Sequence, residues 1–162
     1  MPSCARQEIV RPGQRGIFHV WARACRQIHF WGRDRRTGKD LRYRRDWVRD
    51  FQRQLAALFA VEIACRAEMG NHLHLILRTL PQIAKKWSDE EVVRRWYTSW
   101  RLAFSEDGKT YRKVTDKEIA IQLAKPGRAD ELRLKLSSIS SFMQLLCLHV
   151  SRRLNQEESI EQ

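Results

Sequence analysis

The chain has 162 residues, of which 43% are hydrophobic, enough for one domain with a real core and too apolar for general disorder. No apolar run approaches the roughly 20 residues that span a bilayer, which argues against an integral membrane protein. Lys and Arg number 31 against 19 Asp and Glu, a net charge of +12. Residues 1–54 hold 14 basic and 5 acidic side chains, so most of the excess sits early. A field of that sign attracts polyanions, nucleic acid first and an anionic membrane surface second; scattered solvated arginines are the plainer alternative. Residues 1–20 hold no unbroken apolar stretch of the kind a secretory signal needs, so the cytoplasm is the expected compartment. Cys4, Cys25, Cys65 and Cys147 form no C-x-x-C pair, which leaves a thiolate zinc site without support and predicts reduced, mostly buried thiols.

In chain order, residues 1–15 read as an irregular arm. Gly16 to Cys25 reads as a strand, with Phe18, Val20, Ala22 and Ala24 on its plainer apolar side and Ile17, His19, Trp21 and Arg23 on the other. Residues 32–43 carry loop chemistry with solvent-facing arginines. From Arg45 to Leu58 the period becomes helical, with Trp47, Phe51, Leu55 and Leu58 on one stripe. Two strands follow, Phe59 to Ala67 and Asn71 to Arg78, joined by a tight turn at Gly70-Asn71, and Pro81 closes the segment. Ser88 with Glu91, and Thr115 with Glu118, have capping-box spacing; they open a helix running to about Phe104 and a short one ending near Pro126-Gly127. A last long helix is predicted over about 129–155, with Leu132, Leu136, Ile139, Met143, Leu146, Val150 and Leu154 as its stripe and a frayed acidic tail after it. The order β-α-β-β followed by helices predicts an α+β fold, an antiparallel sheet with helices packed on one side.

The chemistry concentrates in Glu68-Met69-Gly70-Asn71-His72-Leu73-His74-Leu75-Ile76-Leu77-Arg78. On a strand, the three leucines face a core, and His72 and His74 share the other face with Ile76 and Arg78. Their Cβ atoms then lie about 7 Å apart, close enough for two imidazoles to tilt onto one divalent ion. The same spacing also suits an ordinary polar strand face, since a metal site needs further ligands and a pocket.

Gly16-Ile17-Phe18-His19-Val20 and Met69-Gly70-Asn71-His72-Leu73-His74-Leu75-Ile76-Leu77-Arg78 resemble the first strand and the M-x-N-H-x-H-L-h-L run (h hydrophobic) of the insertion-sequence-200-like tyrosine transposases. These belong to the HUH (His-hydrophobic-His) endonuclease superfamily, and the branch associated with repetitive extragenic palindromes is the most similar. Trp87-Ser88-Asp89-Glu90-Glu91 and residues 136–144 also resemble parts of that branch. The resemblance covers about residues 11–156. It implies a single HUH-type, ferredoxin-like domain over 1–162, with a helical insertion at about 82–128 and a long final helix. It further implies that His72 and His74 help hold Mg²⁺ or Mn²⁺ against a phosphate of single-stranded or hairpin DNA, in a monomer or homodimer with no membrane attachment. Gln144, His149 and Asn155 are candidate third ligands, Asn155 lying nearest the family's polar position; for each, an ordinary helix residue is the plainer alternative. In the family a tyrosine on the final helix attacks the DNA and carries a 5′-phosphotyrosine link.

This chain departs from that pattern. Its tyrosines are Tyr43, Tyr97 and Tyr111, and His149, Val150 and Ser151 stand where the nucleophile belongs. The expectation is a truncated or degenerate member whose cleavage is in question, with Tyr97 and Tyr111 as surrogate candidates and no catalytic residue assigned. His19 is expected to touch DNA or orient a ligand, or else to be a hydrogen-bonded histidine of the sheet. Arg23, Arg66 and Arg78 are candidate phosphate contacts. Trp21, Phe30, Trp31 and Tyr43 could stack unpaired bases, whereas Trp47, Trp96 and Trp100 read as packing. The rival reading is a non-enzymatic nucleic-acid-binding module on a ferredoxin-like sheet.

Overall fold

The computed structural model describes residues 13–23, 31–34 and 38–160, the side chains of 158–160 aside. Three strands, β1 (Ile17–Arg23), β2 (Val61–Met69) and β3 (His72–Thr79), form an antiparallel sheet in the order β1-β3-β2. The described helices are α1 (Arg44–Leu58), α2 (Pro81–Ala84), α3 (Asp89–Phe104), α4 (Asp116–Leu123), α5 (Arg128–Leu136) and α6 (Ile139–Ile160). The coarse α+β reading therefore holds.

Alternation in β3 is strict. Leu73, Leu75 and Leu77 are buried and join one apolar cluster with Trp47, Val48, Phe51 and Leu55 of α1. Phe18 and Val20 of β1 pack against the same cluster. The leucine face thus carries the helices, and among the described residues the histidine face is left bare. Strand β2 joins the helix layer through Glu68, whose largely buried carboxylate accepts from Arg49 Nε at 2.9 Å and Nη2 at 2.6 Å.

A bulge in β2 sets what each face carries. Ile63 pairs with Leu77, but Cys65 pairs with Ile76, so Ala64 is the extra residue. The shift puts Glu62, Cys65, Ala67 and Met69 opposite Arg78, Ile76, His74 and His72, and puts Arg66 opposite Leu75.

Both capping signals form. Ser88 accepts from the Glu91 N–H, and Thr115 and Glu118 complete a reciprocal box. The long final helix is instead two helices. Ser137 Oγ–H turns back to the carbonyls of Arg133 and Leu134, and Ser138 Oγ accepts from the Ser141 N–H, so α5 ends and α6 begins within this pair of serines. The continuous stripe hid the break because both helices face one core. Phe142 and Leu145 are buried there, and Met143 is only half-buried. Part of the acidic tail is helical rather than frayed: α6 runs to Ile160, and Glu157 accepts from Arg44 Nε at 2.8 Å and Tyr43 Oη at 2.9 Å.

Three further expectations need correction. Strand β2 starts at Val61, because Phe59 caps α1 with its N–H on the Leu55 carbonyl and turns its ring into the core. Pro81 opens a short helix rather than merely closing a strand, since its fixed φ suits a first helical turn. Cys65 and Cys147 are exposed, not buried, Cys65 because the bulge leaves it on the bare face. Cys4, Cys25 and Phe30 lie outside the described residues.

Candidate metal and nucleic-acid face

The bare face is a small array. Along β1 it carries Ile17, His19, Trp21 and Arg23; along β3 Arg78, Ile76, His74 and His72; along β2 Glu62, Cys65, Ala67 and Met69. His74 stands at its centre, paired with Trp21 on one side and Ala67 on the other.

His19 and His74 are joined directly, Nε2 to Nδ1 at 3.0 Å. Their ring centroids are 5.2 Å apart and their planes differ by 16°. That centroid separation nearly equals the nitrogen–nitrogen distance plus one ring radius on each side. The rings therefore meet end to end and share one proton, rather than both pointing at a common ion. A ligand role for His74 then falls to its Nε2, with Nδ1–H donating to His19 Nε2. His19 becomes the group that fixes the tautomer and orientation of His74.

His72 is set from its own turn. Its Nδ1 lies 2.6 Å from Asn71 Oδ1, and that oxygen can only accept. In the neutral ring Nδ1 then carries the proton and Nε2 keeps a lone pair. The His72 and His74 centroids are 6.1 Å apart with planes 30° from parallel. Two imidazoles at right angles on one ion, with metal–nitrogen distances of about 2.1 Å, have centroids roughly 4.6 Å apart. The observed separation is wider than that, so the rings as placed do not converge on a single ion.

Neighbouring imidazole nitrogens are a donor pair of the kind a divalent cation accepts alongside water and phosphate oxygens. Imidazole donors suit Mn²⁺ better than Mg²⁺, which prefers oxygen. Among the described residues, no group of three His, Cys, Asp or Glu side chains is arranged to hold a metal ion.

The structure does not bring the candidate third ligands to this pair. Helix α6 packs against α1, α3 and α5, on the leucine side of the sheet. Gln144 and Asn155 are exposed on α6, in that helical layer. His149 is not a surface histidine: it is 1% exposed and stacked on Phe51 at 3.9 Å, with Nδ1 3.3 Å from the Ala103 carbonyl. Its position, three and four residues after Leu146 and Leu145, marks it as a member of the apolar stripe. Burial pushes its pKa down from the ordinary 6.5 to about 4.

Tyr97, half-buried on α3, accepts from Arg128 Nη2 at 3.1 Å, and Tyr111 lies in the segment between α3 and α4. Both belong to the helical layer. Tyr43, exposed at the start of α1, is tied to Glu157.

The basic candidates divide. Arg23 is exposed beside His72 on the bare face. Arg78 shares that face, but its Nε donates to Glu62 at 2.6 Å. Arg66 lines the trough beside His19 and His74, but it stands opposite Leu75 rather than a histidine. Its Nη1 reaches Gln52 Oε1 of α1 at 3.4 Å.

Trp31 is no stacking platform: it is 2% exposed, and its Nε1–H donates to the Met69 carbonyl at 2.9 Å. Trp21 is 60% exposed and tilted against His72, with centroids 6.0 Å apart. The β2 side of the face was not anticipated from the sequence. Small or apolar Cys65, Ala67 and Met69 leave an open trough of about 310 Å³ beside His19, His74 and Ile76. Alternation counted back from Met69 reaches Ala67 and Cys65, but only the bulge excludes Ile63 in favour of Glu62.

No helix among the described residues is long and apolar enough to cross a membrane. Comparison with protein-family models, with curated proteins and with solved structures finds no match for this chain.

Proposed function

We propose that this chain is a transposase-like, HUH-type DNA-binding domain that engages single-stranded or hairpin DNA through the bare sheet face, with Mn²⁺ or Mg²⁺ between the imidazoles and a backbone phosphate. The observation that carries the reading is the placement of His72 and His74 side by side on an uncovered strand face, each with its Nδ1 already engaged by a neighbour. A cation held there would neutralise and polarise a phosphate. His72 and His74 offer Nε2, Asn71 and His19 orient the rings, and Arg23 supplies a fixed positive charge at the end of the face.

The family's strand cleavage needs a phenolic nucleophile. Tyr97 and Tyr111 sit in the helical layer, which favours the second reading, nucleic-acid binding without cleavage. The test has two parts. Mn²⁺ titration by calorimetry should show binding that His72→Ala and His74→Ala each abolish and that His19→Ala weakens by about 10- to 100-fold. A labelled hairpin oligonucleotide incubated with Mn²⁺ should remain uncut. Mn²⁺ affinity indifferent to both alanine variants would overturn the metal reading, and a covalent protein–DNA adduct would overturn the non-cleaving one.

A further inference from the structure

We propose that the bare face seats two successive unpaired nucleobases, one stacked on Trp21 and its neighbour lying in the trough beside Cys65 and Ala67, with the linking phosphate over His74. The proposal rests on the nucleic-acid reading above and names what that face would recognise.

Three observations carry it. Trp21 and Ala67 flank His74 on opposite sides, in the same cross-strand row. Strands lie about 4.8 Å apart, so the two base positions are separated by roughly 10 Å. Stacked neighbours in a duplex are far closer than that, so only a strand whose bases are splayed apart can fill both. The second observation is chemical. An exposed indole on one side and an apolar trough of about 310 Å³ on the other offer π-face and apolar contact without a base-edge code. Such contacts accept a base of any identity. The third is charge. Arg23 closes one end of the face, and the chain carries +12, which favours a polyanion over a second copy of the same cationic surface.

The experiment is fluorescence anisotropy with a labelled single-stranded oligonucleotide, the same strand in a duplex, and the same strand carrying abasic sites. The proteins are the unsubstituted chain, Trp21→Ala, Trp21→Phe and Cys65→Phe, which fills the trough from an exposed position. Trp21→Ala and Cys65→Phe should each lose about tenfold affinity for the single strand, and Trp21→Phe should keep most of it. Abasic sites should abolish the difference between Trp21→Ala and the unsubstituted protein. Duplex affinity should not change among the variants. Single-strand affinity unaffected by Trp21→Ala and Cys65→Phe would overturn the proposal and leave backbone binding in place. A change from dimer to monomer on Trp21→Ala, seen by sedimentation, would assign the face to a second copy and also overturn it. Absence of any oligonucleotide binding by the unsubstituted protein would remove the nucleic-acid reading beneath it.

Discussion

At the residue scale, the two histidine environments behave oppositely. His19, His72 and His74 stand on the half-exposed sheet face, His19 Nε2 against His74 Nδ1 and His72 Nδ1 against Asn71. His149 is enclosed between Phe51 and the 103–108 segment, and its Nε2 has no hydrogen-bond partner among the described residues. Gly108 makes that enclosure possible: its φ is +66°, and a Cβ there would stand 2.8 Å from His149 Nε2. Burial favours the neutral ring, so the folded pKa of about 4 lies below the unfolded value near 6.5. Between these values the unfolded chain takes up the proton first. Stability is therefore full above about pH 6.5 and falls as the pH drops toward 4, by up to about 3 kcal/mol. Urea unfolding across that range should show the loss, and His149→Leu should flatten this part of it. An unchanged slope in the variant would place the acid sensitivity elsewhere.

At the element scale, a short turn chemistry decides where helices end. Ser137 and Ser138 break what the apolar spacing reads as one helix, because hydroxyls that bond nearby carbonyls and N–H groups offer the backbone an alternative to continuing. Ser138→Ala removes the hydroxyl that meets the Ser141 N–H and should cost about 1 kcal/mol, read as a lower urea midpoint with an unchanged m-value. No shift in the midpoint would mean that α6 is held by the packing of Phe142 and Leu145 alone. The β2 bulge is the sheet's counterpart. One extra residue at Ala64 sets Arg66 opposite Leu75, keeps Cys65 and Ala67 beside the histidines, and so creates the trough.

At the scale of the whole molecule, the basic excess is unevenly spread along the chain. Arg94, Arg95, Arg101, Arg112, Arg128 and Arg133 of the helical region are each matched to an Asp or Glu. Residues 1–54 carry 14 basic and 5 acidic side chains and contribute Arg23 of β1, together with Arg44, Arg45, Arg49 and Arg53 of α1, which are ion-paired as well. Single-strand binding should therefore weaken with salt through a few phosphate contacts rather than through the full charge. About three contacts predict a slope of roughly −2 in log K against log salt concentration. A slope near zero would remove phosphate contacts from the account.

Much of this was legible in the sequence because it rests on local rules. Alternation in β3 separates Leu73, Leu75 and Leu77 from His72 and His74, helical spacing marks Trp47, Phe51 and Leu55 as core, and Ser88 and Thr115 announce their helices. Each depends on residues within a turn or a strand of one another. What only the tertiary structure decided is long-range. The register across β1 and β3 brings His19 to His74, 55 positions away, and the bulge selects which side chains of β2 join them. Packing buries Trp31 and His149, because burial depends on which distant element covers a side chain, and no local pattern carries that information.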